Sequence, residues 1–427
     1  MAETYTVLII GGGGREHALG WAFARDPRIQ KIWSAPGNAG TALIGSNLPL
    51  PATDLAGIIR WAKTEKPGLV VVGPEVPLCA GLADRLREAG LRVLGPGAQG
   101  AQLEGSKSFC KDLLVSQKIP TARAGSFKDV TEAIRFSGSL PCRQVVKADG
   151  LAAGKGVVIA ETHEEAAKAI REMMADRVFG DAGARVLIEE FLDGEELSVH
   201  AVTDGRNLVI LPSAQDHKRV GEGDTGLNTG GMGAYAPAPK ATPELLREVR
   251  DKILLPTLAG LAARGIDYRG ILYAGLMLTR EGPKVLEFNC RFGDPETEVI
   301  LPLIETPLWD LLGAAADGDL AKISLQTRTG AALTVVLAAP GYPAQPVLGQ
   351  KIQMGKTGAD SAIFHAGTKM AAGKIMVAGG RVLAATGWGD DLQTARERAY
   401  AAAKTVSFEG MHFRRDIGYR ALGKVVR

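Results

Sequence analysis

Cysteine is scarce and scattered. The 427 residues hold four, Cys79, Cys110, Cys142 and Cys290, with no CxxC pair and no Cys/His metal spacing. That excludes a disulfide framework and a zinc site, and a reducing cytoplasm is the expected compartment. Missing too is any uninterrupted apolar run of about 18 residues, the length a spanning helix needs. The opening "MAETYTVLIIGGGGREHA" carries an acid at Glu3 and a short apolar run ended by glycines, unlike a secretory signal. Nor is there an excess of either charge. Lys and Arg number 50 against 47 acids, a formal +3, and no basic block points to a nucleic-acid or membrane partner. A small anionic substrate remains compatible.

What is present is an ordinary globular composition, 46% hydrophobic and 23% charged, long enough for about three domains. The run "TVLII" (6–10), then glycines, then "REHALGWAFARD" reads as a buried strand, a tight turn and a helix. "GLVVVGPE" and "LRVLGP" repeat the strand-then-loop pattern around a helical "LCAGLADRLREAG". Alternating β and α elements predict an N-terminal α/β domain over residues 1–104 with a doubly wound parallel sheet. Ser106 opens a helix that stops before Pro120. "CRQVVKA", "GKGVVIA" and "RVLIEEFL" read as strands and "THEEAAKAIREMMA" as a helix, together a small covered sheet within residues 123–190. Residues 198–238 read as strands and then a long polar loop without periodicity, of the kind that is usually functional or disordered. The segment from about 328 alternates strongly and predicts a mostly β third domain (328–427). The core domain is then 105–327. The fold expected is a multidomain α/β and α+β protein.

Three stretches bear on chemistry. "GGGGREHA" follows a strand, where glycine turns often seat phosphate at a helix start. The dinucleotide fingerprint G-x-G-x-x-G fails, because Glu16 and His17 stand where its last glycine belongs, and Ser34 stands where an acid would read a ribose. A nicotinamide-dependent oxidoreductase is thereby disfavoured. A plain turn and a phosphate seat stay equally open. "KADGLAAGKGVV" (147–158) is one residue short of a Walker A loop, and Gly156 replaces its Ser or Thr. Read alone, it is a flexible hairpin whose backbone N–H groups and Lys155 can reach a polyphosphate.

In "KVLEFNCRFGDPETE" (284–298), a strand would place Glu287, Asn289 and Arg291 on one face and Leu286, Phe288 and Cys290 on the other. Same-face neighbours lie roughly 6.6 Å apart. Glu287 and Asn289 can supply oxygens to magnesium, which takes few protein ligands plus substrate phosphates, and Arg291 can grip a phosphate or carboxylate through its planar fork. A solvated edge with surface ion pairs is the competing reading; the apolar surroundings and the "GDP" turn weigh against it. His217, beside Lys218 and Arg219, reads as a loop hydrogen-bonding residue rather than a base.

Taken in order, "GGREHA", "APGNAGTA", "LEGSKSF", "KADGLAAGKGV", "EEFLDGEE", "QDHKR", "NTGGMGAY" and "EFNCRFGDPE" resemble the phosphoribosylamine–glycine ligases, ATP-grasp enzymes of purine synthesis. The likeness runs from about residue 7 to "RRDIGYRA" near the C-terminus. Leu227 in "DTGLNTGG" stands where the family commonly has Pro, a change that removes no donor or charge. The resemblance implies an ATP-grasp core with a mobile lid subdomain and ATP held between two sheets. Lys107 and Lys147 would contact its phosphates, with Gly154, Lys155 and Gly156 in the lid. Glu189 and the backbone of Phe191 and Leu192 would line adenine, Glu195 the ribose, and Glu287 and Asn289 would hold Mg2+ or Mn2+. Lys147, Arg291 and Asp294 would serve the chemistry, Arg291, Gly293 and Asp294 lying beside the reacting phosphate. Asp216 would pair with the glycine ammonium, and Gly13 and Asn38 would meet the phosphate of phosphoribosylamine. Two rivals follow: another ATP-grasp ligase with a different acceptor, and a nucleotide-binding regulatory module without catalysis. A cytoplasmic monomer without a second fused activity is the expected form.

Overall fold

The computed structural model describes residues 4–150 and 156–423. The first apolar run forms the strand Tyr5–Gly11, whose Val7, Leu8, Ile9 and Ile10 have no exposed surface. It lies at the middle of a parallel sheet ordered Ser46–Asn47, Ile29–Pro36, Tyr5–Gly11, Leu69–Val72, Val93–Leu94. The helix Gly14–Ala24 follows the first strand directly. Continuous rather than alternating hydrophobicity in the central strands Tyr5–Gly11 and Leu69–Val72 is the mark of a sheet covered on both faces, and the doubly wound expectation holds.

Two antiparallel four-stranded sheets follow. The smaller is ordered Ala124–Phe127, Val186–Glu190, Gln144–Ala148, Val157–Ala160. Two helices cover it, Val130–Ser137 and His163–Met174, capped by the side chains of Asp129 and Thr162. Their core is separate and small, built on Val146, Ile170 and Ile188. The larger sheet runs Leu208–Ile210, Glu195–Thr203, Gly270–Thr279, Gly282–Asn289. The helix Lys107–Ser116, capped by the Ser106 hydroxyl on the Phe109 N–H, leads from the first sheet into this region.

The stretch expected to be an unstructured polar loop is not one. Residues 215–236 form four short strands, Gln215–Asp216, Arg219–Gly221, Thr225–Asn228 and Gly233–Ala236. The middle pair makes a hairpin. The first and last join Ala331–Ala338, Arg381–Gly389 and Ser361–His365 in one antiparallel sheet. Strands of two to four residues carry too little alternation to be read locally. Gly233–Ala236, which carries Gln215–Asp216 into the sheet, finds its other partner about a hundred residues further on in Ala331–Ala338, so tertiary pairing decides them. This sheet therefore draws strands from both sides of residue 328 and ties the polar stretch to the last third of the chain.

Candidate active site

Cations gather where the two four-stranded sheets meet. Lys147, on the strand Gln144–Ala148, and Lys111, on the helix Lys107–Ser116, hold the two carboxylate oxygens of Glu189 at 2.5 Å each. All three are nearly buried. Burial works against the Glu189 charge, but the two ammonium groups outweigh it and keep the carboxyl below its usual range. Lys147 also donates to the Leu286 carbonyl at 3.3 Å. Lys107 stands at the start of its helix, donates to the Gly150 carbonyl at 3.1 Å, and has its pKa lowered by burial. Two lysines are thus pinned to a counter-ion while a third stays less well paired.

Glu287 is exposed, and its charge reaches Lys107, Lys147 and Lys218. Asn289 follows on the same strand, nearly buried, its Oδ1 accepting from Arg291 Nη2 at 3.2 Å. Among the described residues no group of three or more His, Cys, Asp or Glu is placed to hold a metal. A carboxylate and an amide oxygen at the mouth of a lysine-lined cleft are the hard donors that Mg2+ or Mn2+ accepts when phosphates complete its shell. The donor set fits such an ion.

Arg291 is held from two sides. Its Nη2 meets Glu104 Oε1 at 2.7 Å, its Nε meets Glu75 Oε2 at 3.3 Å, and its Nη1 donates to the Phe292 carbonyl at 3.1 Å. Glu104 takes the Cys290 N–H as well, at 2.9 Å. Glu75 is driven up by burial and pulled down further by Arg291, so it stays ionised. The next turn is equally fixed: Gly293 donates its N–H to Nε2 of the buried His200 at 3.2 Å. Asp294 Oδ1 meets Arg381 at 3.0 Å, and its Oδ2 accepts the Arg15 N–H at 3.1 Å.

That last contact corrects the reading of the glycine turn. The Gly13 N–H is taken by Glu16 at 2.6 Å, and Asp294 caps Arg15. Glu298 lies so close to Gly14 that a Cβ there would sit 2.4 Å from Oε1. Two of the N–H groups at this helix start are thus taken by Glu16 and Asp294, which lessens what the turn can offer a phosphate. Asn38 is likewise consumed: its Nδ2 donates to Gly12, Gly13 and His365 carbonyls, and its Oδ1 accepts from Gly40 and Thr41. Gly13 and Asn38 shape the loop rather than offer donors to a phosphate.

Beyond the turn, Asp216 is buried beside Lys218, Glu196, Glu296 and Arg420, and its carboxyl is pushed up to about 7, mainly by burial. His217 is buried and accepts from the Gly418 N–H at 3.0 Å, in keeping with the loop role read for it. Glu195 receives Gln215 Nε2 at 3.2 Å and pairs with Lys240. Phe191 is stacked by the Arg143 guanidinium at 3.7 Å. Leu192 packs with Ala122, Met277 and Leu286 in a small apolar cluster. Gly156 accepts from the Ala148 N–H, while Gly154 and Lys155 lie outside the described residues.

Sequence reasoning missed Lys111, Glu75, Glu104, Glu298 and Arg381. Glu75 and Glu104 stand in the quoted "GPE" and "LEGSKSF", where an acid opposite the expected Arg291 was a usable signal. Arg381 carries none, for it reaches the turn only through the pairing of distant strands.

Two antiparallel sheets enclosing a cleft of lysines, with an acid and an amide side by side on the last strand, define an ATP-grasp enzyme. Residues 5–104, 105–297 and 332–420 match the N domain, the ATP-grasp (A) domain and the C domain of phosphoribosylglycinamide synthetase. The chain belongs to the phosphoribosylamine–glycine ligase family. It is 50% identical over 425 residues to the phosphoribosylamine–glycine ligase of Vibrio vulnificus strain CMCP6, covering 98% of this chain and 99% of that one. For the enzyme of Chlorobaculum tepidum the figures are 48% over 423 residues, 97% and 100%. The crystal structure of the Thermotoga maritima phosphoribosylamine–glycine ligase superposes with a TM-score of 0.85 at 38% identity, covering 96% of this chain and 99% of that one. A biotin carboxylase domain from Hydrogenobacter thermophilus, solved with magnesium ADP and bicarbonate, shares the fold alone, with a TM-score of 0.74 at 16% identity over 96% and 92% of the two chains.

Proposed function

We propose that this chain joins glycine to 5-phosphoribosylamine at the expense of ATP, giving glycinamide ribonucleotide, ADP and phosphate, as a step of purine synthesis. The observation that carries this reading is the meeting of Lys147 with the strand that bears Glu287 and Asn289, where Lys147 donates to the Leu286 carbonyl and Arg291 to Asn289, with Lys107 within reach of the Glu287 charge, a pattern suited to a metal-bound polyphosphate.

The chemistry follows from the substrates. A carboxylate is a poor electrophile, so its oxygen first takes the γ-phosphoryl group of ATP, giving glycyl phosphate and ADP. The amine then attacks the carbonyl carbon and phosphate leaves with the carboxylate oxygen. Neither step needs a covalent enzyme intermediate; the protein positions and neutralises. Lys107 and Lys147 face the phosphates, and Glu189 keeps Lys147 charged and fixed. Adenine lies against Leu192 and the backbone of Phe191, and Glu195 faces the ribose. Glu287 and Asn289 would hold Mg2+ or Mn2+, which would supply charge neutralisation on the transferring phosphoryl group. Arg291 stabilises charge on the acyl phosphate, and its two acidic partners fix its plane. Asp216 pairs with the glycine ammonium.

No helix among the described residues is long and apolar enough to cross a membrane. The test is ADP release with Mg2+ and ATP, comparing glycine alone, phosphoribosylamine generated in place alone, and both. Release requiring both supports the ligase; release with glycine and a different amine acceptor favours another ATP-grasp ligase; release with no combination, while ATP still binds, favours a binding module.

A further inference from the structure

Arg381 begins the strand Arg381–Gly389 in the last third of the chain, remote from every motif of the cleft. Its side chain, about three-quarters buried, nevertheless ends on the catalytic turn. Nη2 meets Asp294 Oδ1 at 3.0 Å, and Nη1 donates to the Asp294 carbonyl at 2.8 Å and to the Gly230 carbonyl at 2.5 Å. Asp294 in turn receives the Arg15 N–H from the first domain. One guanidinium thus fastens two segments, and through Asp294 a third.

The segments are fitted to this arrangement. A Cβ on Gly230 would lie 3.0 Å from Arg381 Cζ, and the Gly230 N–H donates to the Tyr342 hydroxyl at 3.1 Å. Gly231 has φ of +114°, and a Cβ there would lie 2.5 Å from Pro295 Cδ. Both glycines let the 229–231 loop press onto the 293–295 turn, and the left-handed φ makes Gly231 hard to replace. Arg is the residue that can bind a carboxylate oxygen and two carbonyls at once, since its fork presents several donors in fixed directions; an ammonium is a single point charge.

We infer that Arg381 is a positioning residue for the ligation: it clamps Asp294 and the 229–231 loop together, so the last domain helps set the geometry of the reacting centre. This rests on the reading that Asp294 lies beside the reacting groups. Displacing such a clamp misaligns the substrates without touching the nucleotide cleft, and misplacement of about 1 Å costs about 10²-fold in rate.

The experiment uses the full chain as Arg381→Lys, Asp294→Asn and the double variant, measuring kcat, KM for glycine and for the amine, the ATP dissociation constant and the melting temperature. Arg381→Lys is expected to keep its melting temperature and ATP affinity and to lose about 10²-fold in kcat, with the double variant little worse than the worse single, as members of one unit behave. An impaired Asp294→Asn beside a normal Arg381→Lys, or losses that multiply, would overturn the Arg381 inference alone. Asp294→Asn at wild-type turnover would overturn the Asp294 reading and the clamp with it. A parallel loss of ATP affinity and melting temperature in Arg381→Lys would mark a general structural role and also overturn it.

Discussion

Asp216 gives the most exposed prediction. Its carboxyl is buried in the face of Lys218 and Arg420, which favour its charge, and of Glu196 and Glu296, which oppose it; burial dominates and pushes its pKa up to about 7. Only the ionised form can pair with the ammonium of glycine. With a pKa of about 7, the ionised fraction falls from about nine-tenths at pH 8 to about one-tenth at pH 6, so KM for glycine should rise about tenfold over that interval. Asp216→Asn should raise KM at pH 8 and flatten the dependence, while KM for ATP stays level in both proteins. The assay is initial ADP release against glycine concentration at fixed saturating ATP and amine, from pH 6 to 8. A wild-type glycine KM that does not move, or an Asp216→Asn variant with the same slope, refutes the assignment.

Three further outcomes are expected. Glu189→Gln leaves Lys111 and Lys147 buried without their shared counter-ion, so it should destabilise by about 3–5 kcal/mol and weaken ATP binding; calorimetry and nucleotide titration that both match wild type would contradict the ion-pair account. Glu287→Gln should raise the Mg2+ concentration for half-maximal ATP cleavage by at least about tenfold, the lower end of what even outer-sphere changes cost, and an unchanged Mg2+ titration would remove Glu287 from the metal site. Glu298 is buried with neither carboxyl oxygen bonded to any described residue, and burial holds its pKa well above the usual carboxylate range. A carboxyl raised on folding binds more protons folded than unfolded, so its contribution to stability declines as pH rises from the unfolded pKa toward the folded one. The melting temperature of Glu298→Gln minus that of wild type should therefore grow from pH 5 to pH 8, and a difference that stays flat or shrinks would show the carboxyl ionised or solvated.

The elements legible in the sequence were those carried by local pattern. Three strands of the first parallel sheet announced themselves through unbroken apolar runs, and the helix after Ser106 through its cap. The strand read for Glu287 and Asn289 is present but ends at Asn289; Arg291 lies in the bend just beyond it and still contacts Asn289. What was hidden is what depends on distant partners. Gly233–Ala236 becomes a strand because Ala331–Ala338 is there to pair with it, and Gln215–Asp216 pairs in turn with Gly233–Ala236. The glycine turn was ambiguous between a phosphate seat and a plain turn, because the acids that fill it include Asp294 and Glu298, nearly 300 residues away. Arg381 was illegible for the same reason.

The account's central claim is that ATP activates the carboxylate of glycine. Glycine labelled with 18O in both carboxylate oxygens, turned over with ATP, Mg2+ and phosphoribosylamine, tests it directly by mass analysis of the inorganic phosphate. Acyl-phosphate formation predicts one 18O atom in each phosphate released, carried over when the amine displaces it. Unlabelled phosphate, with glycinamide ribonucleotide still formed, would contradict the claim.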